Sequence, residues 1–191
     1  IIPSNFYNAL FEVENGKITI TATDLNLLFV QCQVEIDDNT KTFRTMCPGP
    51  LMLKIINNLA SDRVELSMTK QTMAVTAGKA HYDFFCMNPD EFPVMPICKF
   101  EETFDIDQFI LKTAFKNVSF ASYTDASRFA LNGAYFSPEG KLVSTNGVML
   151  ALADVPIKCK KGINIPLFTI KKLISMLTDE GSVQIKTNEE K

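Results

Sequence analysis

The feature that most constrains the fold is that the chain repeats itself. Asn8-Ala9-Leu10-Phe11, followed by Gly16-Lys17-Ile18, returns as Asn132-Gly133-Ala134-Tyr135 followed by Gly140-Lys141-Leu142. Thr23-Asp24 corresponds to Thr145-Asn146, and Pro48 with Lys54-Ile55-Ile56 and Leu59 corresponds to Pro166 with Lys172-Leu173-Ile174 and Leu177. Val64-Glu65-Leu66 then matches Val183-Gln184-Ile185. Blocks that keep their order at an offset of about 120 residues point to two copies of one supersecondary unit. The chain of 191 residues is long enough for two small cores.

Both copies carry the same local signals. Phe11-Glu12-Val13 and Lys17 to Thr21 alternate across Glu14-Asn15-Gly16, which predicts a β-hairpin. Strand continues from Leu28 to Ile36. Residues 50–59 predict a helix with Leu51, Met52, Ile55, Ile56 and Leu59 on one face, opposite Lys54, Asn57 and Asn58. Strands at 63–69, 72–77 and 80–86 follow, then Pro89, Pro93 and Pro96 punctuate the chain, and a domain boundary is expected near residue 100. The second copy opens with a strand at Thr103-Phe104-Asp105 and a helix from about Ile106 to Ala121, and a helix over 167–177 matches that of the first copy. The expected class is α+β, each unit placing two helices on a largely antiparallel sheet.

Composition excludes several classes. Hydrophobic residues are 46% and charged residues 21% of the chain, ordinary globular usage. No apolar run is long enough to span a bilayer, and the opening Ile1-Ile2-Pro3-Ser4-Asn5-Phe6 has no secretory signal, which suggests a start inside a longer chain. A net charge of −3 excludes a wholly basic nucleic-acid binder but not a basic face on an acidic body. The five cysteines are scattered without a C-x-x-C, so a reduced cytosol fits better than a disulfide framework, and paired zinc ligands are not signalled. The single histidine, His81, lies in a strand-like segment with no nucleophile motif beside it, and no phosphate-cradling glycine loop occurs.

Val118-Ser119-Phe120-Ala121, Thr124-Asp125-Ala126-Ser127-Arg128 and Leu131-Asn132-Gly133 together resemble the middle domain of the bacterial β sliding clamps. Ser144-Thr145-Asn146-Gly147-Val148-Met149-Leu150-Ala151-Leu152 is similar to the Ala-Thr-Asp-Gly-His-Arg-Leu-Ala segment of that family, and Thr21-Ala22-Thr23-Asp24-Leu25 and Asp90-Glu91-Phe92-Pro93 resemble its first-domain signatures. The resemblance implies two tandem clamp domains with antiparallel sheets outside and helices on the inner face. The first (1–100) would lack its N-terminal strand and helix, and the second (101–191) its C-terminal strands.

It further implies a non-enzymatic processivity factor without a cofactor or metal, cytoplasmic, closing as a full-length homodimer around double-stranded DNA. Its partners would be the DNA polymerase III catalytic subunit, the clamp loader and repair polymerases, each presenting a short linear motif, with no membrane involved. Phosphate-directed lysines would supply a sequence-blind attraction that still allows sliding. From Val155 to Leu177 there are five lysines and no acidic residue. Gln108, Lys112 and Lys116 form an i, i+4 stripe opposite Ile106, Ile110 and Ala114, and Lys171 and Lys172 point away from the apolar face of their helix. The residues that the resemblance places at DNA are Lys54, Lys112, Lys116, Arg128, Phe129, Lys171 and Lys172. Those expected to wall a peptide groove are Leu131, Thr145, Gly147, Val148, Met149 and Leu150.

The sequence departs from the family pattern at five places. Pro50-Leu51 and Leu167-Phe168 stand where a basic pair is usual, and Phe129-Ala130 keeps half of an aromatic pair. Strand 141–145 is short, and Val148-Met149 replaces His-Arg. Two rivals share some of these features. One is a tandem α+β peptide-binding scaffold that does not act on DNA. The other is an enzyme built on carboxylates such as Asp105, Asp107 and Asp125.

Overall fold

The structure is a computed structural model, and it describes residues 8–24, 29–36, 42–95, 97, 99–125 and 127–187. Leu25, Leu28, Pro96 and Ala126, each part of an expectation above, lie outside the described residues, as does Cys98, one of the five cysteines. The chain divides into two compact units, Ile1–Pro96 and Ile97–Lys191.

In the first unit, β1 (Asn8–Glu14), β2 (Lys17–Thr23), β3 (Phe29–Glu35) and β4 (Phe43–Pro48) form an antiparallel sheet in the order β3-β2-β1-β4. The β1–β2 turn is held by Asn15 and Gly16, both at positive φ (53° and 73°), the conformation a two-residue hairpin with the right twist requires. Pro48 ends β4 and precedes α1 (Gly49–Ile56), where Pro50 stands in the first turn and needs no amide partner. A second sheet, β5 (Glu65–Thr69), β6 (Thr72–Ala77) and β7 (Ala80–Phe85), has the order β5-β6-β7. Ala9, Phe11 and Val13 alternate along β1 into a core shared with Met52 of α1 and with Met73, Val75 and Phe84 of the second sheet. Leu10 points the other way, onto Met46 and Phe92.

The second unit begins with β8 (Glu102–Asp107) and α2 (Gln108–Ser119). Strands β9 (Gly133–Phe136), β10 (Lys141–Thr145), β11 (Leu150–Asp154) and β12 (Ile163–Pro166) follow in the order β11-β10-β9-β12, then α3 (Leu167–Met176) and β13 (Ser182–Thr187), which pairs with β8. The strand order thus repeats between the units, a helix follows a proline in each, and β13 takes the place of β5 in the chain order. The core joins Leu111, Ala114, Phe115 and Val118 of α2 to Ala134, Phe136 and Leu142 of the sheet and to Ile170 and Leu177.

Four expectations need correction. Helix α2 starts at Gln108 rather than Ile106, because Asp107 caps it by accepting from the Ile110 amide (3.1 Å) and Ile106 is a buried strand residue. Its buried face is Leu111-Ala114-Phe115-Val118, and Ile110 is 39% exposed. Helix α1 ends at Ile56 and buries only Met52, leaving Leu51 and Ile56 exposed, since a two-turn helix can turn only a narrow stripe to the sheet. Finally, Pro48 pairs with Asn8 whereas Pro166 pairs with Gly133, so strand pairing shifts the first repeat block by one residue from the sequence match.

Candidate functional site

The lysine stripe of α2 is tied at its start to the segment that follows α3. Gln108 donates to the Glu180 carbonyl (3.1 Å) and accepts from the Thr178 amide (3.0 Å), while its own amide donates to the Gly181 carbonyl (2.9 Å). One turn on, Lys112 donates to Asp179 (2.8 Å), and the lysine side chain is only 18% exposed. Lys112 is thus paired and largely covered within the stripe. The hydrogen bond from Lys112, then its charge, holds the Asp179 carboxyl below the ordinary carboxylate range, and Lys116 adds to this. Lys116 itself is exposed. On α3, Leu167 and Ile170 are buried while Lys171 and Lys172 face solvent, with the Lys172 ammonium 5.5 Å from the Phe168 ring. Phe168 thus sits under a cation where the family pattern has a basic pair.

The segment before β9 presents two more of the expected residues. Arg128 stacks over Tyr123 at 5.1 Å, and its carbonyl accepts from Leu131 and Asn132. Asp125 turns this loop by accepting from the Ser127 amide (2.9 Å), an Asx-type contact that keeps its carboxyl low. Phe129 is 65% exposed while its carbonyl is held by the Asn164 side chain (3.0 Å). In the first unit Lys54 lies exposed in the last turn of α1, where a cation complements the helix dipole.

Thr145 to Leu150 forms the β10–β11 turn, and its geometry is built by two side chains. The Thr145 hydroxyl donates to the Met149 carbonyl (2.6 Å) and accepts from the Gly147 amide (3.1 Å). The Asn146 carboxamide oxygen accepts from both Val148 (3.0 Å) and Met149 (2.8 Å). Gly147 has φ +89°, a conformation that disfavours any side chain. With the backbone so occupied, the side chains turn outward: Val148 is 93% and Leu150 68% exposed, with Met149 and Leu152 about half exposed. Leu131 is half-buried and its carbonyl accepts from the Tyr123 amide (3.0 Å). An apolar pocket of about 170 Å³ lies elsewhere in this unit, among Phe104, Leu111, Phe115, Phe136, Ile165 and Ile185, and none of the expected site residues lines it.

The Asn146-Gly147 pair reads as a tight turn in the sequence, but the two amides that Asn146 holds, Asp179 as the partner of Lys112 and Asn164 as the support of Phe129 were missed. Only Asn146 carried a local signal, an Asn-Gly pair between two strand patterns. The carboxylates weighed for catalysis are separately employed: Asp107 caps α2, Asp105 accepts from Gln184 (3.2 Å) and Asp125 holds its turn. Among the described residues no group of three or more His, Cys, Asp or Glu side chains could hold a metal.

Two sheet-and-helix units with one strand order define the DNA-clamp class, and comparison with known proteins points the same way. Residues 3–96 match the family described as DNA polymerase III beta subunit, N-terminal domain. The chain is 26% identical to the β sliding clamp of Chlamydia pneumoniae over all of its own length and 55% of that protein, and 26% identical to that of Haemophilus influenzae, covering 95% and 52%. Among solved structures it superposes on the DNA polymerase III subunit beta of Pseudomonas aeruginosa with a TM-score of 0.86 at 25% identity, covering 95% and 52%. It superposes on the sliding clamp of Bartonella birtlesii bound to griselimycin with a TM-score of 0.88 at 27% identity, covering 96% and 52%. In sequence and in fold the whole chain is similar to the β sliding clamps. It spans about half the length of the relatives it matches.

Proposed function

We propose that this chain is part of a processivity clamp that encircles duplex DNA as a closed homodimer in the cytoplasm and tethers polymerases, the clamp loader and repair enzymes. The first clamp domain runs to about residue 100 and the second from about residue 101. The observation that carries this reading is the repeated unit, in which a proline-started helix after the fourth strand turns its cations to solvent, Lys54 on α1 and Lys171 and Lys172 on α3. Lysines on helix faces attract phosphate without reading bases, so they favour binding that is independent of sequence and falls with salt. Lys116, Arg128 and Phe129 extend this surface on the second unit, and Lys112 joins it once Asp179 is displaced or neutralised.

Peptide tethering falls to the strip of Val148, Met149 and Leu150 together with Thr145, Gly147 and Leu131. The strip offers apolar side chains on a turn whose backbone is already satisfied, so an incoming peptide meets side chains rather than unpaired amides. The griselimycin-bound relative supports a ligand groove in this family. With Val148-Met149 in place of His-Arg, partner peptides rely on apolar anchors more than on an acidic residue. The test is binding of the intact protein to duplexes of unrelated sequence over a salt series. Equal affinity across sequences with a steep salt slope supports the clamp reading. Peptide binding with no duplex binding favours the tandem scaffold instead.

A further inference from the structure

Two cysteines that are 39 positions apart meet in the core of the first unit. Cys47 lies in β4 and Cys86 directly after β7, and their sulfurs are 2.9 Å apart. The contact is fixed by backbone pairing. Met46 and Met87 exchange both hydrogen bonds, Met87 N–H to Met46 O (2.8 Å) and Met46 N–H to Met87 O (3.4 Å). The next pair along these antiparallel segments is therefore a non-hydrogen-bonded one, where α-carbons approach to about 4.5 Å, within the range a disulfide spans. Both side chains are buried, and both are free thiols.

We propose that Cys47 and Cys86 form a reversible disulfide that fastens the two sheets of the first unit, with Cys86 as the attacking thiolate and Cys47 as the resolving thiol. The environment divides these roles. The hydrogen bond from the Cys47 thiol holds Cys86 below the ordinary thiol range against the effect of burial, and the Thr45 hydroxyl and the Met73 amide add to it. The same contact, with burial, pushes Cys47 up. The oxidant that fits a buried pair is a small hydroperoxide. The Cys86 thiolate attacks the peroxide, breaks the O–O bond and becomes a sulfenic acid with release of hydroxide. Cys47 then attacks that sulfur, the S–S bond forms, and the sulfenic oxygen leaves as hydroxide and takes up the Cys47 proton as water. Two thiols are oxidised, one peroxide is reduced to two waters, and a dithiol reverses the bond. Cys32, exposed on β3, has no such neighbour among the described residues.

The test uses the intact protein treated with equimolar hydrogen peroxide, after which free thiols are alkylated and the digest is mapped by mass spectrometry. A Cys47–Cys86 cross-link that dithiothreitol removes is expected, with the unfolding midpoint raised by roughly 5–15 °C while the link is intact. In Cys47→Ser a sulfenic acid should be trapped by dimedone at Cys86, whereas in Cys86→Ser the Cys47 thiol should react at least about tenfold more slowly. Because the mapping is done on the unsubstituted protein, it holds even where a variant folds poorly. Alkylation of both Cys47 and Cys86 after peroxide, or over-oxidation of Cys86 without a cross-link, would overturn the proposal. So would a cross-link that leaves the midpoint unmoved, or binding of a soft metal ion by the pair in place of oxidation.

Discussion

Lys112 and Asp179 are far apart in sequence and 2.8 Å apart in space, so one cation of the proposed DNA surface is already engaged. The pair sets two expectations at the level of single residues. Asp179→Asn removes the competitor for Lys112 and should tighten duplex binding by about two- to fivefold at low salt, the scale of one exposed ion pair. Conversely, the Asp179 carboxyl should titrate below the ordinary range by NMR and rise toward it in Lys112→Met, with Lys116 still lowering it. Because its folded value is depressed, the pair's contribution is complete above the ordinary Asp range and is lost as pH falls through the folded value. Unchanged duplex affinity in Asp179→Asn would remove Lys112 from the binding surface. A third expectation concerns Asn146, whose carboxamide satisfies two amides of the β10–β11 turn. Asn146→Ala should cost about 1 kcal/mol in thermal or chemical unfolding and should weaken peptide binding along with it.

At the scale of elements, the turn strip and the two lysine-bearing helices of the second unit can be perturbed separately. Met149→Asp places a charge on the apolar strip and should weaken a Gln-Leu-x-Leu-Phe-type peptide by about 1–3 kcal/mol in calorimetry. If neither affinity nor melting moves, the strip is only a surface turn. Replacing Lys112, Lys116, Lys171 and Lys172 by Glu should flatten the salt dependence of duplex binding, since each lost phosphate contact lowers the slope by roughly 0.9. The protein should remain folded, because the apolar faces of α2 and α3 do not include these residues. The amphipathic period of α3 and the Asn-Gly hairpin were readable from sequence because the signals are local. The start of α2 was misread because Ile106 continues an apolar pattern across the strand-to-helix junction, and only the Asp107 cap marks the change. The narrow buried face of α1 was also illegible: Leu51 and Ile56 have the spacing of core residues, and nothing local says that the helix stops after two turns. The Gln108 contacts to residues 178–181, the Lys112–Asp179 pair and the Cys47–Cys86 contact all depend on tertiary pairing that no short window contains.

On the scale of the whole molecule, the repeat supplies the economy of the design. One β-β-β-β-α-β sequence of elements occurs twice, and each occurrence starts its helix at a proline and leaves cationic side chains on the helix surface, one lysine on α1 and two on α3. Under the proposed clamp reading, an acidic chain of net charge −3 would associate with DNA through local basic faces, while its overall charge would oppose tight nonspecific adhesion. Such a protein needs a topological link rather than a strong grip. The measurement that tests this most directly is retention on DNA of different topology: the intact protein is assembled on nicked circular duplex, separated from free protein by gel filtration, and the circle is then cut once. The account predicts that the protein stays with the circle and is released when it is linearised. Equal retention before and after cutting would mean that the protein grips the duplex rather than encircling it, and would contradict the account.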